Sequence, residues 1–269
     1  MPELPEVEVT RRGLAPHLVG QVISAVEVRE PRLRWRIPRA VHGLAGRTVR
    51  SVRRRGKYLL VDCGDGHLIL HLGMSGSLRL VPPGTPAGKH DHFDLLLGER
   101  CLRLRDPRRF GAVLWTDKDV DAHPLLAHLG IEPLSNALTG ARLHRLSRGL
   151  RIPVKQFLMD AKRVVGVGNI YASESLFRAG IEPRRRAGKI SLEKYEKLVA
   201  AVKLTLRAAI KAGGSSLRDF VGSDGASGYF QNRTLVYDRA GMPCRRCRTP
   251  IRRIVQGARA TYYCPRCQS

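Results

Sequence analysis

The chain has 269 residues and 43% hydrophobic content, enough to bury a core in one large or two modest domains, which excludes disorder throughout. Its 48 Lys+Arg against 23 Asp+Glu leave a formal charge of +25, far beyond what solubility requires, so the expected partner is a polyanion, nucleic acid first. No apolar run approaches the ~20 residues of a membrane helix, and Glu3, Glu6 and Glu8 stand where a secretory leader would be basic and then apolar, so a soluble intracellular protein is expected.

In chain order, Pro5 at a first helical position, followed by Val7, Val9, Leu14 and Leu18, predicts a short N-terminal helix with Glu6 and Glu8 in its first turn. From Val22 to about Thr116 short apolar runs recur between Gly, Pro and Asp turns: VISAVEV, TVRSV, YLLVDC, LILHLG, FDLLLG and GAVLW. That spacing predicts an antiparallel β-sandwich, with Cys63 and Cys101 as buried thiols within strands and His71 as a hydrogen-bonded strand residue. Between Arg29 and Lys57 eleven basic residues face one acid, Glu30, and further clusters follow at Arg105, Arg108 and Arg109, at Arg184 to Arg186 and at Arg245 to Arg253. Any single arginine can be surface coat; together they imply salt-sensitive phosphate binding.

From Pro153 the period becomes helical: VKQFLMD, a VVGVG turn, then NIYASESLFRAG, two helices joined by a glycine-containing turn. A longer helix runs from a Ser191 cap through Leu192, Tyr195, Leu198, Val199, Val202, Leu206 and Ile210 to Gly213 and Gly214. Residues 215–228 have turn chemistry and no periodicity, and read as a loop or a plain linker. The tail from Leu235 predicts a small β-hairpin module around cysteines.

Cys244, Cys247, Cys264 and Cys267 form two CxxC pairs sixteen residues apart, a spacing that closes four thiolates on one structural zinc. Such a closed shell leaves no position for substrate, so the zinc is expected to hold a hairpin that presents its basic residues, Arg259 among them. At the other end, removal of Met1 leaves a secondary amine on Pro2. An α-amine has a reference pKa near ~8, against ~10.4 for lysine, and is therefore a usable nucleophile near neutral pH. Its attack on an anomeric carbon gives an iminium, an electron sink that eases loss of neighbouring phosphates. Glu3 beside it suits general acid/base work, and Glu6 complements a helix N-terminus. On these residues alone a chance Met-Pro-Glu start is the better reading.

PELPEVE, the lysine of RRRGKYLL (Lys57), LGMSGSL (Met74), KHDHFD (His90), DPRRFG (Arg108, Phe110), GVGNIYASE (Asn169), SDGASGYF and the terminal cysteines together resemble formamidopyrimidine-DNA glycosylase from end to end. The resemblance implies an N-terminal β-sandwich catalytic domain with its helix (1–135), a helix-two-turn-helix DNA-binding domain (136–234) with a lesion-recognition loop at 215–228, and a zinc-finger hairpin (235–269). It implies a bacterial, cytoplasmic, monomeric enzyme on double-stranded DNA that excises oxidised purines and then cleaves the abasic strand by β,δ-elimination. Pro2 is implied as the Schiff-base nucleophile and Glu3 as the acid, with Lys57 assisting β-elimination and Arg259 linked to δ-elimination. Asn169 is implied to bind phosphate at a helix start, where an anion is physically favoured, and His90 and Lys155 to contact DNA. Because a stacked base cannot offer its sugar, the nucleotide must flip out, and Met74, Arg108 and Phe110 match the residues that fill the gap. Arg248 and Asp238 stand where the family usually has Gly; a positive φ at Arg248 would cost about 1 kcal/mol. Two other readings stay open on the sequence: endonuclease VIII, on the same fold and directed at oxidised pyrimidines, and a zinc-containing DNA-binding protein without catalysis.

Overall fold

The computed structural model describes residues 2–214 and 234–269, so the expected lesion-recognition loop at 215–228 lies outside the described residues. The first element, α1 (Leu4–Leu18), begins at N-cap Glu3 and is closed by a capping box. The Glu3 side chain accepts the Glu6 backbone N–H, and the Glu6 carboxylate accepts the Glu3 N–H at 2.8 Å. Pro5 falls in the first turn, where its missing N–H costs nothing, and Leu4, Val7, Leu14 and Leu18 are buried.

The strands β1 (Ala25–Val28), β2 (Ser51–Arg55), β3 (Tyr58–Asp62), β4 (His67–His71), β5 (Ser77–Val81), β6 (Asp91–Leu97), β7 (Arg100–Arg105) and β8 (Ala112–Thr116) follow. They form two antiparallel sheets, ordered β1-β6-β7-β5 and β2-β3-β4-β8. Alternate residues of each sheet, Leu59 and Val61, Leu68 and Leu70, Phe93 and Leu95, Leu102 and Leu104, share one core with Val7, Leu14 and Leu18 of α1. This is the expected sandwich, with two adjustments. The first strand starts only at Ala25, Val22 making an isolated bridge to Thr48. The other adjustment is that β5 and β7, absent from the apolar-run reading, complete one sheet. Arginines interrupt their pattern, but Arg103 is buried, held by the Asp94 carboxylate at 2.7 and 3.0 Å and by the carbonyls of Thr85 and Pro86.

A second compact unit is made from His128–Lys211 and, among the described residues, the chain from Thr234 to Ser269. It contains α2 (Gly140–Ser147), α3 (Val154–Met159), α4 (Asn169–Arg178), α5 (Leu192–Lys211) and the antiparallel hairpin β9 (Arg252–Gln256) and β10 (Arg259–Tyr263). The predicted long helix is α5, burying Tyr195, Leu198, Val202 and Leu206 at helical spacing. The short α2 carries few apolar residues and gave no periodic signal. It is capped by Thr139, and a Cβ at Gly140 would meet Glu196 of α5 at 2.5 Å, so glycine lets the two helices approach. The cysteine hairpin packs on α4: Phe177 shares a cluster with Val236, Ile251, Tyr262, Cys244 and Cys264. Among the described residues no helix is long and apolar enough to cross a membrane.

Candidate functional site

In the sandwich unit, Pro2 and Glu3 are buried at the N-terminal end of α1. The capping box fixes Glu3 beside Pro2, and the partial positive charge of a helix start falls on this point. Lys57 leaves the β2–β3 turn just after Gly56, whose φ of 58° suits glycine. This turn is tied back to α1: Arg54 donates to the Gly56 carbonyl at 2.9 Å and to the Glu8 carboxylate at 3.2 Å. Burial pushes the Glu8 carboxyl up, but hydrogen bonds from Arg11 and Arg12 and the charges of Arg11 and Arg54 outweigh it and hold the group at about 2. His71 is the expected hydrogen-bonded strand residue, its Nδ1 accepting the Gly73 N–H at 2.9 Å and its ring 4.7 Å from that of Tyr58. Burial, with the charges of Lys57 and Arg34, pushes its pKa down to about 4, so the ring is neutral near pH 7.

Met74, Arg108 and Phe110 come together on two adjoining turns, β4–β5 and β7–β8, and all three are exposed. The Arg108 guanidinium lies 5.0 Å from the centre of the Phe110 ring, a cation–π contact. Gly73 has a φ of 61°, and a Cβ there would meet the Phe110 backbone at 2.3 Å, so the turns can touch only because it is glycine. Both lean on Asp106, fully buried: Oδ1 accepts the Ser75 hydroxyl at 2.7 Å and Oδ2 the Gly111 N–H at 2.7 Å. Ser75 Oγ in turn accepts the Arg108 N–H at 3.2 Å. Half-buried His90 lines a nearby groove of about 440 Å³ with Arg29, Lys89, His92 and Arg109.

In the second unit, Lys155 of α3 is only 2% exposed. Its ammonium donates to Asn169 Oδ1 at 2.6 Å, Thr261 Oγ1 at 2.7 Å and the Ala260 carbonyl at 3.3 Å. Asn169, the first residue of α4, donates from Nδ2 to the same carbonyl at 3.0 Å. Arg259, exposed at the start of β10, lines a pocket of about 130 Å³ with Lys155, Gln156, Met159, Asp160 and Gln256. Glu174 of α4, buried, takes the backbone N–H groups of Leu235, Val236 and Tyr237 at 2.9–3.0 Å, fastening the chain that leads into the cysteine module. The four cysteine sulfurs lie within 4.8 Å of one another, with Cys244–Cys267 at 3.9 Å and Cys247–Cys264 at 3.4 Å. Zn–S bonds of about 2.3 Å in a tetrahedron place sulfurs about 3.8 Å apart, so the set fits zinc. Arg248 (φ 65°) and Asp238 (φ 57°) are both left-handed; Asp238 has a partner in the Tyr262 hydroxyl at 3.2 Å.

Three family models match the chain: the formamidopyrimidine-DNA glycosylase N-terminal domain over residues 1–113, the H2TH domain of that glycosylase over 129–221, and the zinc finger found in FPG and IleRS over 241–269. The formamidopyrimidine-DNA glycosylase of Paraburkholderia phytofirmans is 60% identical over 275 residues, covering 100% of both chains. The chain belongs to the formamidopyrimidine-DNA glycosylase family. The protein of that name from Methylococcus capsulatus is 59% identical over the full length of both chains. Among solved structures, MutM (FPG) from Thermus thermophilus matches with a TM-score of 0.90 and 40% identity over 99% of this chain and 98% of that one. A Lactococcus lactis FPG mutant in complex with Fapy-dG-containing DNA matches with a TM-score of 0.92 and 33% identity over 100% of both. The four cysteines of the matched zinc finger hold one structural zinc in this glycosylase.

Reading the sequence did not single out Asp106, Ser75 or Glu174. Each is a lone polar residue inside a motif noted for its neighbours, and its role depends on backbone groups that only folding brings to it.

Proposed function

We propose that the Pro2 amine, exposed by removal of Met1, is the nucleophile with which this base-excision repair glycosylase removes oxidised purines from duplex DNA and then cleaves the abasic strand. The observation that carries this is the burial of Pro2 and Glu3 at the start of α1, where the helix end disfavours the protonated amine and Glu3 stands ready with a carboxyl group. The free amine bonds to C1′ as the C1′–N bond to the damaged base breaks, and the N–H proton it then sheds goes to the departing base. Ring opening then transfers a proton from Glu3 to O4′ and leaves an iminium. Loss of a C2′ proton expels the 3′ phosphate, and a second elimination expels the 5′ phosphate.

Lys57 assists the first elimination and Arg259 the second. Asn169, Lys155 and His90 serve the phosphate backbone, and Met74, Arg108 and Phe110 fill the gap left by the flipped nucleotide. Zinc on Cys244, Cys247, Cys264 and Cys267 is closed off by four sulfurs and acts on folding, so the chemistry rests on the amine. By function the chain divides into a catalytic part (1–135), a DNA-binding part (136–234) and the finger (235–269). It works as a monomer in the bacterial cytoplasm. DNA with oxidised bases or abasic sites is the partner, in keeping with the Lactococcus lactis complexes with Fapy-dG and abasic-site DNA.

Borohydride treatment during turnover on an 8-oxoguanine duplex tests this. Protein lacking Met1 is expected to be trapped covalently on DNA, and protein retaining Met1 or a tag is not. Trapping by the blocked protein would overturn the assignment of Pro2. Since a Lactococcus lactis structure is a complex with oxidised-pyrimidine DNA, a thymine glycol duplex belongs beside it, with the purine expected to be excised faster.

A further inference from the structure

We propose that Asp106 is a positioning residue for nucleotide flipping: its buried carboxylate clamps the two void-filling turns into one unit, so that Met74, Arg108 and Phe110 enter the duplex together. This rests on the gap-filling role assigned to those three side chains. Exposed side chains on separate turns each hold their own place poorly. Here one carboxylate with no exposed surface reaches both turns, through the Ser75 hydroxyl next to Met74 and through the Gly111 N–H next to Phe110. Ser75 passes the link on, since the oxygen that donates its proton to Asp106 accepts the Arg108 N–H. The Asp106 backbone fixes the base of the clamp, its N–H on the His90 carbonyl at 2.9 Å and its carbonyl 2.9 Å from His92 Nε2. A Cβ at Gly111 would come within 3.0 Å of Asp106 Oδ2 and 2.8 Å of the His71 carbonyl, so glycine also gives the carboxylate its place.

The direction of these bonds identifies the test. Asparagine at 106 can still accept the Gly111 N–H, but its amide then donates to Ser75, whose oxygen already takes the Arg108 N–H and whose own proton loses its acceptor. Asp106→Asn therefore reverses the link to Met74 while nearly preserving shape, and Ser75→Ala removes it from the other side.

Single-turnover excision of 8-oxoguanine from duplex, cleavage of a duplex with a preformed abasic site, and the fluorescence of 2-aminopurine beside the lesion are measured for both variants. An abasic sugar has no base to unstack, so its cleavage depends less on insertion. Excision and the fluorescence step are expected to slow together by about tenfold, the worth of one charge-assisted hydrogen bond, with abasic cleavage within about threefold of the parent. Met74→Ala and Phe110→Ala run alongside. If they slow excision and neither Asp106→Asn nor Ser75→Ala does, the clamp is refuted and the gap-filling role stands; if they leave excision and fluorescence unchanged, the gap-filling role itself fails. Equal losses on both substrates with a lowered melting temperature would make Asp106 a scaffold residue and overturn the inference. If Asp106→Asn does not fold, Ser75→Ala decides between these outcomes alone.

Discussion

Arg248→Gly offers a direct test of how the zinc knuckle is held. Arg248 has a φ of 65°, its side chain is exposed and makes no hydrogen bond among the described residues, and its backbone N–H donates to the Cys244 carbonyl at 3.0 Å. A non-glycine residue in the left-handed region costs about 1–2 kcal/mol, and glycine regains this while losing about 0.5–1 kcal/mol through the freedom it adds to the unfolded chain. The knuckle hydrogen bond survives, so the net gain is about 0.5–1 kcal/mol. Melting should rise by about 1–4 °C. Because the strain sits inside the metal-binding turn, the gain should also appear as zinc held about two- to fivefold more tightly in competition with a chromophoric chelator. Removing one positive charge should leave excision at low salt nearly unchanged. A lower melting temperature with weaker zinc retention would show that the arginine side chain, not the backbone angle, matters here, and would refute the reasoning.

Chelation of the zinc should raise hydrogen exchange across 235–269 and in α4, where Phe177 supports the hairpin, while the β-sandwich keeps its protection; exchange rising equally in both units would contradict a local role. Glu8→Gln should cost about 1–2 kcal/mol in urea unfolding at pH 7. Because the folded carboxyl titrates at about 2, below its unfolded value of 4.5, this stabilisation is full above pH 5 and fades as the pH falls towards 2; the parent and variant curves should therefore converge on acidification. Lys155→Met leaves Asn169 Oδ1 and Thr261 Oγ1 without their donor and should destabilise the second unit by about 1–3 kcal/mol, measured the same way. Unchanged or greater stability would mean that desolvating the ammonium costs more than its hydrogen bonds return.

The elements legible in the sequence were those whose pattern is local. The four cysteines announce a metal site by spacing alone, and α5 and most strands by period. What stayed hidden depended on distant partners. β7 reads as polar until Asp94 of β6 neutralises Arg103, and α2 has too few apolar residues to mark a face before α5 packs on Gly140. At the site, the residues proposed to carry side-chain chemistry stand in motifs that resemble the family's, whereas Glu174 acts by collecting three backbone N–H groups and Asp106 by joining the Ser75 hydroxyl to the Gly111 N–H, which no spacing rule reveals. Lys155 carried only a family resemblance; its contacts show an almost fully buried ammonium that holds Asn169.

That arrangement around Asn169 has a thermodynamic consequence. An amide on a surface helix usually turns freely and can present either its oxygen or its nitrogen to a ligand. With Oδ1 committed to Lys155 and Nδ2 to the Ala260 carbonyl, this one has a single orientation before any anion arrives. The loss of side-chain freedom is charged to folding instead of to binding, and the amide cannot turn its oxygen outward. In the phosphate-binding role proposed for it, a group fixed in this way would discriminate by geometry: it would reward an anion that comes to the start of α4 along the helix N–H vectors and give little to one displaced from them.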